Sequence, residues 1–278
     1  MIFLDPLSLQ TIQSTQIYPQ ELEISLNVGK EVHQILLESP EQFRFNEYVF
    51  PLPPESADER TIWIWREDHW EKWQYFDETS GKFYKMVFVA SSRPPTIEIS
   101  GIKMHVTEDG DPLKDTHQKI RTLGRVMGWI LDTCCGLGYT AIYLARLPRI
   151  EKVITIEKDH TMLQLCRENP WSQELFSNSR IELLEGDTSE LIKNFRDAQF
   201  GGILHDPPRY ALAPELYEVD FYRQCYRVLK RKGHFYHYTG NPQKGRKRGL
   251  PERTIGRLKE AGFTIVRPAY QGVFARKD

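Results

Sequence analysis

Cysteine is scarce and unpatterned in this chain of 278 residues: Cys134, Cys135, Cys166 and Cys225 form no C-x-x-C pair, and two of them are neighbours. That argues against a disulfide framework and against a zinc site, and four unpatterned thiols suit a reducing cytoplasm. Cys134 and Cys135 read most simply as small residues in a tight turn. Long apolar runs are missing too, since none approaches the roughly 18–20 residues of a membrane span. The first residues, MIFLDPLSLQ, hold neither a basic leader nor a cleavable apolar core, so no signal peptide is expected and a cytoplasmic location is. Internal repeats and low-complexity runs are absent, and no metal site is expected.

What remains is 40% hydrophobic and 27% charged with a net charge of −1, the make-up of an ordinary soluble protein of one large domain or two small ones. The near-zero charge hides a split: residues 1–120 sum to −9 and residues 121–278 to +8. Either the basic half faces an anionic partner, or the halves attract each other or are merely solvated. Residues 1–110 read as a β-rich domain. A hairpin is expected around Asn27-Val28-Gly29, strands in TIWIWRE, FYKMVFVAS and TIEISGIKMHV, and a turn at Asp77–Gly81. Its aromatic residues Trp63, Trp65, Trp70, Trp73 and Tyr75 are expected in a core rather than on a base-stacking face.

Residues 111–278 are organised around 129–143, WILDTCCGLGYTAIY. An apolar run, Trp129-Ile130-Leu131, ends in Asp132; a small-residue turn passes through Gly136 and Gly138; an apolar helix start follows at Ala141, Ile142, Leu144 and Ala145. Strand, glycine turn and helix open a nucleotide-binding βα unit, where glycines let backbone pass close to a ligand and the helix start offers unpaired N–H groups. The dinucleotide fingerprint would need its last glycine at Ala141. A helix is expected before this strand, over about 115–126, with Lys119 and the upstream His105 read as ordinary surface groups in preference to lining a cofactor mouth.

Strands and helices then alternate, which calls for a parallel sheet with covering helices. Further strands are expected to end at Glu157, near Asp187 and at Asp206, with helices over about 160–167, 188–195 and 215–230. GHFYHYTG is a fifth strand, 252–261 a helix stopped by Gly262, and FTIVRPAYQGVFARK a closing antiparallel hairpin. Ligands of open α/β sheets bind at the C-terminal strand tips. Glu157 stands 19 residues after Gly138, where an acid accepts from two vicinal ribose hydroxyls and repels a phosphate.

The spacing Asp132-x-x-x-Gly136-x-Gly138 resembles the first motif of class I S-adenosylmethionine (SAM) methyltransferases, whose fuller pattern has a glycine where Cys134 stands. The resemblance covers about Asp115–Lys277. It implies an α/β fold, a Rossmann-like seven-stranded methyltransferase domain, here with an N-terminal β-rich domain. It also implies SAM as cofactor, held by Asp132, Cys134, Gly136, Gly138, Glu157, Lys158, Asp187, Thr188 and Asp206, with Asp187 accepting from the adenine amino group and Thr188 beside the ring. His205-Asp206-Pro207-Pro208-Arg209-Tyr210 resembles the D/N-P-P-aromatic motif of amino-methylating members, with Arg209 in the usual aromatic slot and Tyr210 one later. The prolines stiffen the backbone. A carboxylate and a rigid carbonyl can then hold an amine and aim its lone pair. Asp206, Pro207 and Tyr210 are the candidate catalytic residues; the bland alternative is a Pro-terminated strand whose Asp206 only bonds the loop or the cofactor. RVLKRKG resembles the family's R-x-L-K-x-G-G segment. Segments such as DTCCGLGYTA, ENPWS, HDPPR and RVLK are similar to a group of mostly archaeal predicted methyltransferases.

Arg209 and the basic segment with Lys244, Arg246, Lys247 and Arg248 are candidates for binding RNA or a phosphorylated substrate, the alternative being a solvated loop. The expected activity is N-methylation of an amine on RNA or another anionic substrate. Two rivals stand beside it: aminopropyl transfer from decarboxylated SAM, and a non-catalytic RNA-binding module.

Overall fold

The computed structural model describes residues 1–105, 111–240 and 250–278. The chain divides into two compact units, Met1–Asp115 and Thr116–Asp278.

The first unit is built from three antiparallel sheets. Ile2–Leu4 pairs with the hairpin Trp63–Arg66/His69–Lys72. Gln20–Ile24, His33–Ser39, Gln42–Phe45 and Tyr48–Pro51 form a meander. Gln74–Asp77, Lys82–Val87, Thr96–Ile99 and Ile102–Lys103 form another. The expected hairpin around Asn27–Gly29 and the turn at Asp77–Gly81 are both present. A helix over Pro6–Ser14, which the sequence reading did not anticipate, starts on Asp5, whose carboxylate accepts from the Ser8 N–H at 2.9 Å. Trp63, Trp70 and Trp73 are buried in the core, as expected; Trp65 packs edge-on against Trp70.

In the second unit the elements are α1 (Pro112–Leu123, whose first turn belongs to the first unit), β1 (Gly128–Asp132), α2 (Tyr139–Ala145), β2 (Ile150–Glu157), α3 (His160–Glu168), α4 (Glu174–Ser177), β3 (Ile181–Glu185), α5 (Thr188–Leu191), β4 (Phe200–His205), α6 (Val219–Val228), β5 (Leu229–Tyr238), α7 (Leu250–Glu260), β6 (Ile265–Ala269) and β7 (Gly272–Arg276). One seven-stranded sheet runs β3-β2-β1-β4-β5-β7-β6. Its first five strands are parallel, and β7 is antiparallel to both neighbours. This is the Rossmann-like order, with the reversal between β1 and β4 opening a crevice at the strand tips. The core holds Leu131, Ile154, Ile203, Phe235 and Val273 from the sheet against Phe221, Cys225 and Leu258 from α6 and α7.

Three helices differ from expectation, the first being α5, which ends at Leu191 and passes into a 3₁₀ turn over Ile192–Asn194. α1 begins earlier, because Asp111 caps it by accepting from the Leu113 and Lys114 N–H groups, and it stops at Gly124, whose φ of +84° continues no helix. α6 is shorter than 215–230. Pro214–Tyr217 forms a 3₁₀ turn, and Leu229 turns extended, fully buried and paired with Phe200. The Lys277 ammonium donates to the carbonyls of Tyr226 and Leu229 at 2.7 and 2.8 Å, closing the helix end. No helix among the described residues is long and apolar enough to cross a membrane.

Candidate active site

The tip of β1 turns sharply because the Cys135 N–H donates to Ile156 O at 2.8 Å and the Gly138 N–H to Cys135 O at 2.9 Å. Gly136 and Gly138 both have positive φ (+54° and +79°). A Cβ on Gly138 would lie 2.1 Å from Leu175, so that side of the glycine serves packing. Asp132 is fully buried. Its Oδ2 accepts from the Thr155 hydroxyl at 2.9 Å, and its Oδ1 has no partner among the described residues. Burial pushes this carboxyl up to about 8, with the Thr155 bond and the Lys119 charge pulling against Asp206 and Glu157. Cys134 is half-buried, its thiol pushed far up by burial and then by Glu157, so it is an uncharged filler of the turn.

At the tip of β2, Glu157 accepts from the Gly136 N–H (2.8 Å) through Oε2 and from the Asp159 N–H (3.0 Å) through Oε1. Burial raises this carboxyl, and those N–H groups offset part of the rise. A carboxylate has about four lone-pair sites, so acceptor capacity remains for a ribose hydroxyl. At the tip of β3, Asp187 caps α5: Oδ1 accepts from the Ser189 N–H (2.8 Å) and hydroxyl (2.7 Å). Burial opposes its ionisation, but the Ser189 bonds and the Lys158 charge leave it below the usual carboxylate range. Lys158 reaches Asp187 at 3.5 Å and Glu215 at 3.9 Å, both exposed pairs. Thr188 is buried, and its hydroxyl has no partner among the described residues.

The tip of β4 is the most tightly built. His205 is buried between a hydroxyl and a carbonyl: Nδ1 lies 2.7 Å from Thr133 Oγ1, and Nε2 lies 2.9 Å from Leu216 O. A carbonyl only accepts, so Nε2 carries the proton and Nδ1 accepts. Burial pushes this imidazole down to about 3, so it stays neutral. The Tyr217 hydroxyl donates to Pro208 O at 2.8 Å, tying the Asp-Pro-Pro turn to the 3₁₀ segment. Asp206 Oδ2 lies 2.5 Å from Lys119 Nζ, with the Lys119 side chain only 5% exposed and that of Asp206 24%. The same ammonium sits 4.4 Å from the Tyr238 ring centroid. Lys119 is therefore not the surface group the sequence reading preferred. Thr116, Lys119 and Leu123 are all buried, at the i, i+3, i+7 spacing of the inward stripe of α1.

Other candidates lie elsewhere. Tyr210 is exposed, donates weakly to Glu218 (3.4 Å) and stands edge-on to Tyr217; the tyrosine tied to the Asp-Pro-Pro turn is Tyr217, which the sequence reading missed. Arg209 is exposed. His105 belongs to the first unit, where its Nδ1 lies 2.9 Å from the Thr96 hydroxyl. Lys244, Arg246, Lys247 and Arg248 lie outside the described residues. His237, near the end of β5, and Thr239, just past it, also carry a buried Nε2 and a buried hydroxyl with no partner among the described residues. Asp132, Thr188, His237 and Thr239 thus give orphaned buried polar atoms at three tips of one sheet. Buried polar groups are normally bonded, so these atoms are candidates for contacts to a polar ligand. Among the described residues, no group of three His, Cys, Asp or Glu is placed to hold a metal ion.

Residues 130–233 match the family model of a methyltransferase domain. The chain is 45% identical over 187 residues to an uncharacterized protein of Methanocaldococcus jannaschii, covering 66% of this chain and 63% of that one. It is 32% identical over 145 residues to a polyamine aminopropyltransferase of Nitrosomonas europaea, covering 50% and 42%. The chain thus spans under two thirds of the length of these curated relatives. Among solved structures, spermidine synthase from Thermotoga maritima superposes with a TM-score of 0.59 at 19% identity, covering 79% of this chain and 73% of that one. A spermidine synthase in complex with the transition state analogue AdoDATO gives 0.62 at 18%, covering 83% and 76%. At these identities the likeness is one of fold.

Proposed function

We propose that this protein is a SAM-dependent methyltransferase that methylates an amine nitrogen on RNA or another anionic substrate in the cytoplasm. The observation that carries the reading is the set of strand-tip acids. Glu157 keeps acceptor capacity for the ribose, Asp187 and the orphaned Thr188 hydroxyl are assigned to adenine, and the orphaned Asp132 oxygen beside the glycine turn suits the ammonium of the methionine part. The match of residues 130–233 to a methyltransferase domain supports the same assignment.

Bound there, SAM would supply an activated methyl group, whose bond to sulfur breaks with its electron pair left on sulfur. The chain's own work is positioning. The Asp206 carboxylate and the Pro207 carbonyl accept the N–H groups of the acceptor and aim its lone pair. Tyr217 and His205 hold that turn rigid from behind. The nitrogen that gains the methyl sheds one proton, which leaves past the partly exposed Asp206 to water. Arg209 and the basic segment 244–248 are assigned to the anionic body of the substrate.

Aminopropyl transfer from decarboxylated SAM is the second reading, favoured by the polyamine aminopropyltransferase relative. The two part in one assay. Protein incubated with methyl-tritiated SAM and fractionated cell RNA, protein and metabolites should label a macromolecular fraction and release S-adenosylhomocysteine. Release of 5′-methylthioadenosine from decarboxylated SAM and an amine would reverse the assignment. A protein that binds no nucleoside at all would be the non-catalytic RNA module.

A further inference from the structure

Asp206 already has a cation. Lys119 Nζ sits 2.5 Å from its Oδ2, under the face of Tyr238 at 4.4 Å, and lowers the pKa of buried Asp132 by its charge. A carboxylate, a second carboxyl and an aromatic face are the groups that would receive an aliphatic ammonium arriving as substrate. Here α1 delivers one from within the chain. The helix is fixed at both ends by the Asp111 cap and the stop at Gly124, and its inward stripe is buried, so the ammonium has little freedom to withdraw.

We propose that Lys119 fills the ammonium subsite at Asp206 and so selects for an uncharged acceptor nitrogen, of the exocyclic amino kind carried by a planar heterocycle, against aliphatic polyamines. The proposal deepens the methyltransferase reading and rests on it for the identity of Asp206 as the acceptor's partner. A polyamine entering the site would bring one ammonium against another, and displacing Lys119 would strand a buried charge. An aliphatic amine is also protonated near neutral pH, with no lone pair to offer, whereas an exocyclic amino group is neutral from the start. Such a group needs only acceptors for its N–H bonds. Among the described residues no N–H or O–H bonds the Pro207 carbonyl, which stays open to one.

The test is titration calorimetry of the full chain with putrescine and with spermidine, on the wild type, Lys119→Met, Lys119→Arg, Asp206→Asn and the double variant Lys119→Met/Asp206→Asn. The wild type and Lys119→Arg are expected to give no measurable heat. Lys119→Met should bind at least about tenfold tighter than the wild type, and the double variant should lose the gain. Wild-type binding that Asp206→Asn abolishes would overturn the proposal, and this readout does not depend on any Lys119 variant folding. A folded Lys119→Met that gains nothing would overturn it as well. Parallel titrations with SAM and 5′-methylthioadenosine keep the two levels apart, because a missing nucleoside site sinks the methyltransferase reading whatever the polyamines do.

Discussion

Asp132 and Asp206 stand at the tips of adjacent strands, and their surroundings are opposite. Asp132 is fully buried, with one oxygen bonded to Thr155 and the other to nothing described; burial raises its carboxyl to about 8. Asp206 is a quarter exposed and has its charge met by Lys119. Asp132 feels the Lys119 charge without bonding it and can still gain a cation from a ligand; Asp206, bonded to one, cannot easily take a second. The pair therefore divides the crevice into a place that waits for positive charge and a place already neutralised. On the proposed function, the first belongs to the cofactor's ammonium and the second to a neutral acceptor.

The largest effect should come from breaking the neutralised side. Asp206→Ala strands Lys119 as a buried, uncompensated charge. The expected loss is about 3 kcal/mol of stability, the low end for such a change because Asp206 is partly exposed. Methyl transfer should fall at least about 10²-fold, since the acceptor loses its alignment. Adding Lys119→Met should restore most of the melting temperature and none of the activity. If the double variant melts as low as the single one, the charge of Lys119 is not what Asp206 answers.

The waiting side should show itself in the pH dependence of stability. The folded Asp132 carboxyl, raised to about 8, binds its proton where the unfolded one, near the usual 3.8, has lost it. The native state thus holds more protons between those values, and stability falls as pH rises toward 8, by at most about 1.4 kcal/mol per pH unit. His205 and His237 act on the other limb. Burial pushes the first down to about 3 and the second well below its ordinary value, so the unfolded state takes up protons below about 6.5 and stability falls as pH drops. Melting temperature should peak near neutral pH. Asp132→Asn should flatten the alkaline limb and leave the acid limb standing. An unchanged alkaline limb would show that Asp132 ionises normally in the folded protein.

Much of this comparison was legible in the chain. Asp132, Glu157, Asp187 and Asp206 each close a strand-like run, and the alternation of such runs with helical stretches points to a parallel sheet. Lys119 was not legible in the same way. Its partner lies 87 residues away, and pairing at that separation leaves no local trace. The trace it did leave was a charged residue on the buried stripe of α1, at a spacing that a lysine disobeys only for a reason. Tyr217 was hidden by Tyr210, which sits nearer the motif's aromatic slot; the 3₁₀ turn at Pro214 is what swings Tyr217 back onto the Pro208 carbonyl. The end of α6 was misjudged because Leu229 and Lys230 suit a helix, and only pairing with Phe200 makes the chain extended there.

The smallest effect tests how stiff the neutralised side must be. Tyr217→Phe keeps the ring, its edge-on contact with Tyr210 and its packing on His237, and removes only the bond to Pro208 O. Pro208 is exposed, so water can replace the lost donor, and the melting temperature should fall by the equivalent of about 1 kcal/mol or less. If the turn works by aiming a lone pair, the change should appear in kcat, with the KM for SAM unmoved, because Tyr217 holds the acceptor side and not the nucleoside side. A rise in the KM for SAM at constant kcat would instead put Tyr217 against the cofactor, and the division of the crevice between Asp132 and Asp206 would have to be redrawn.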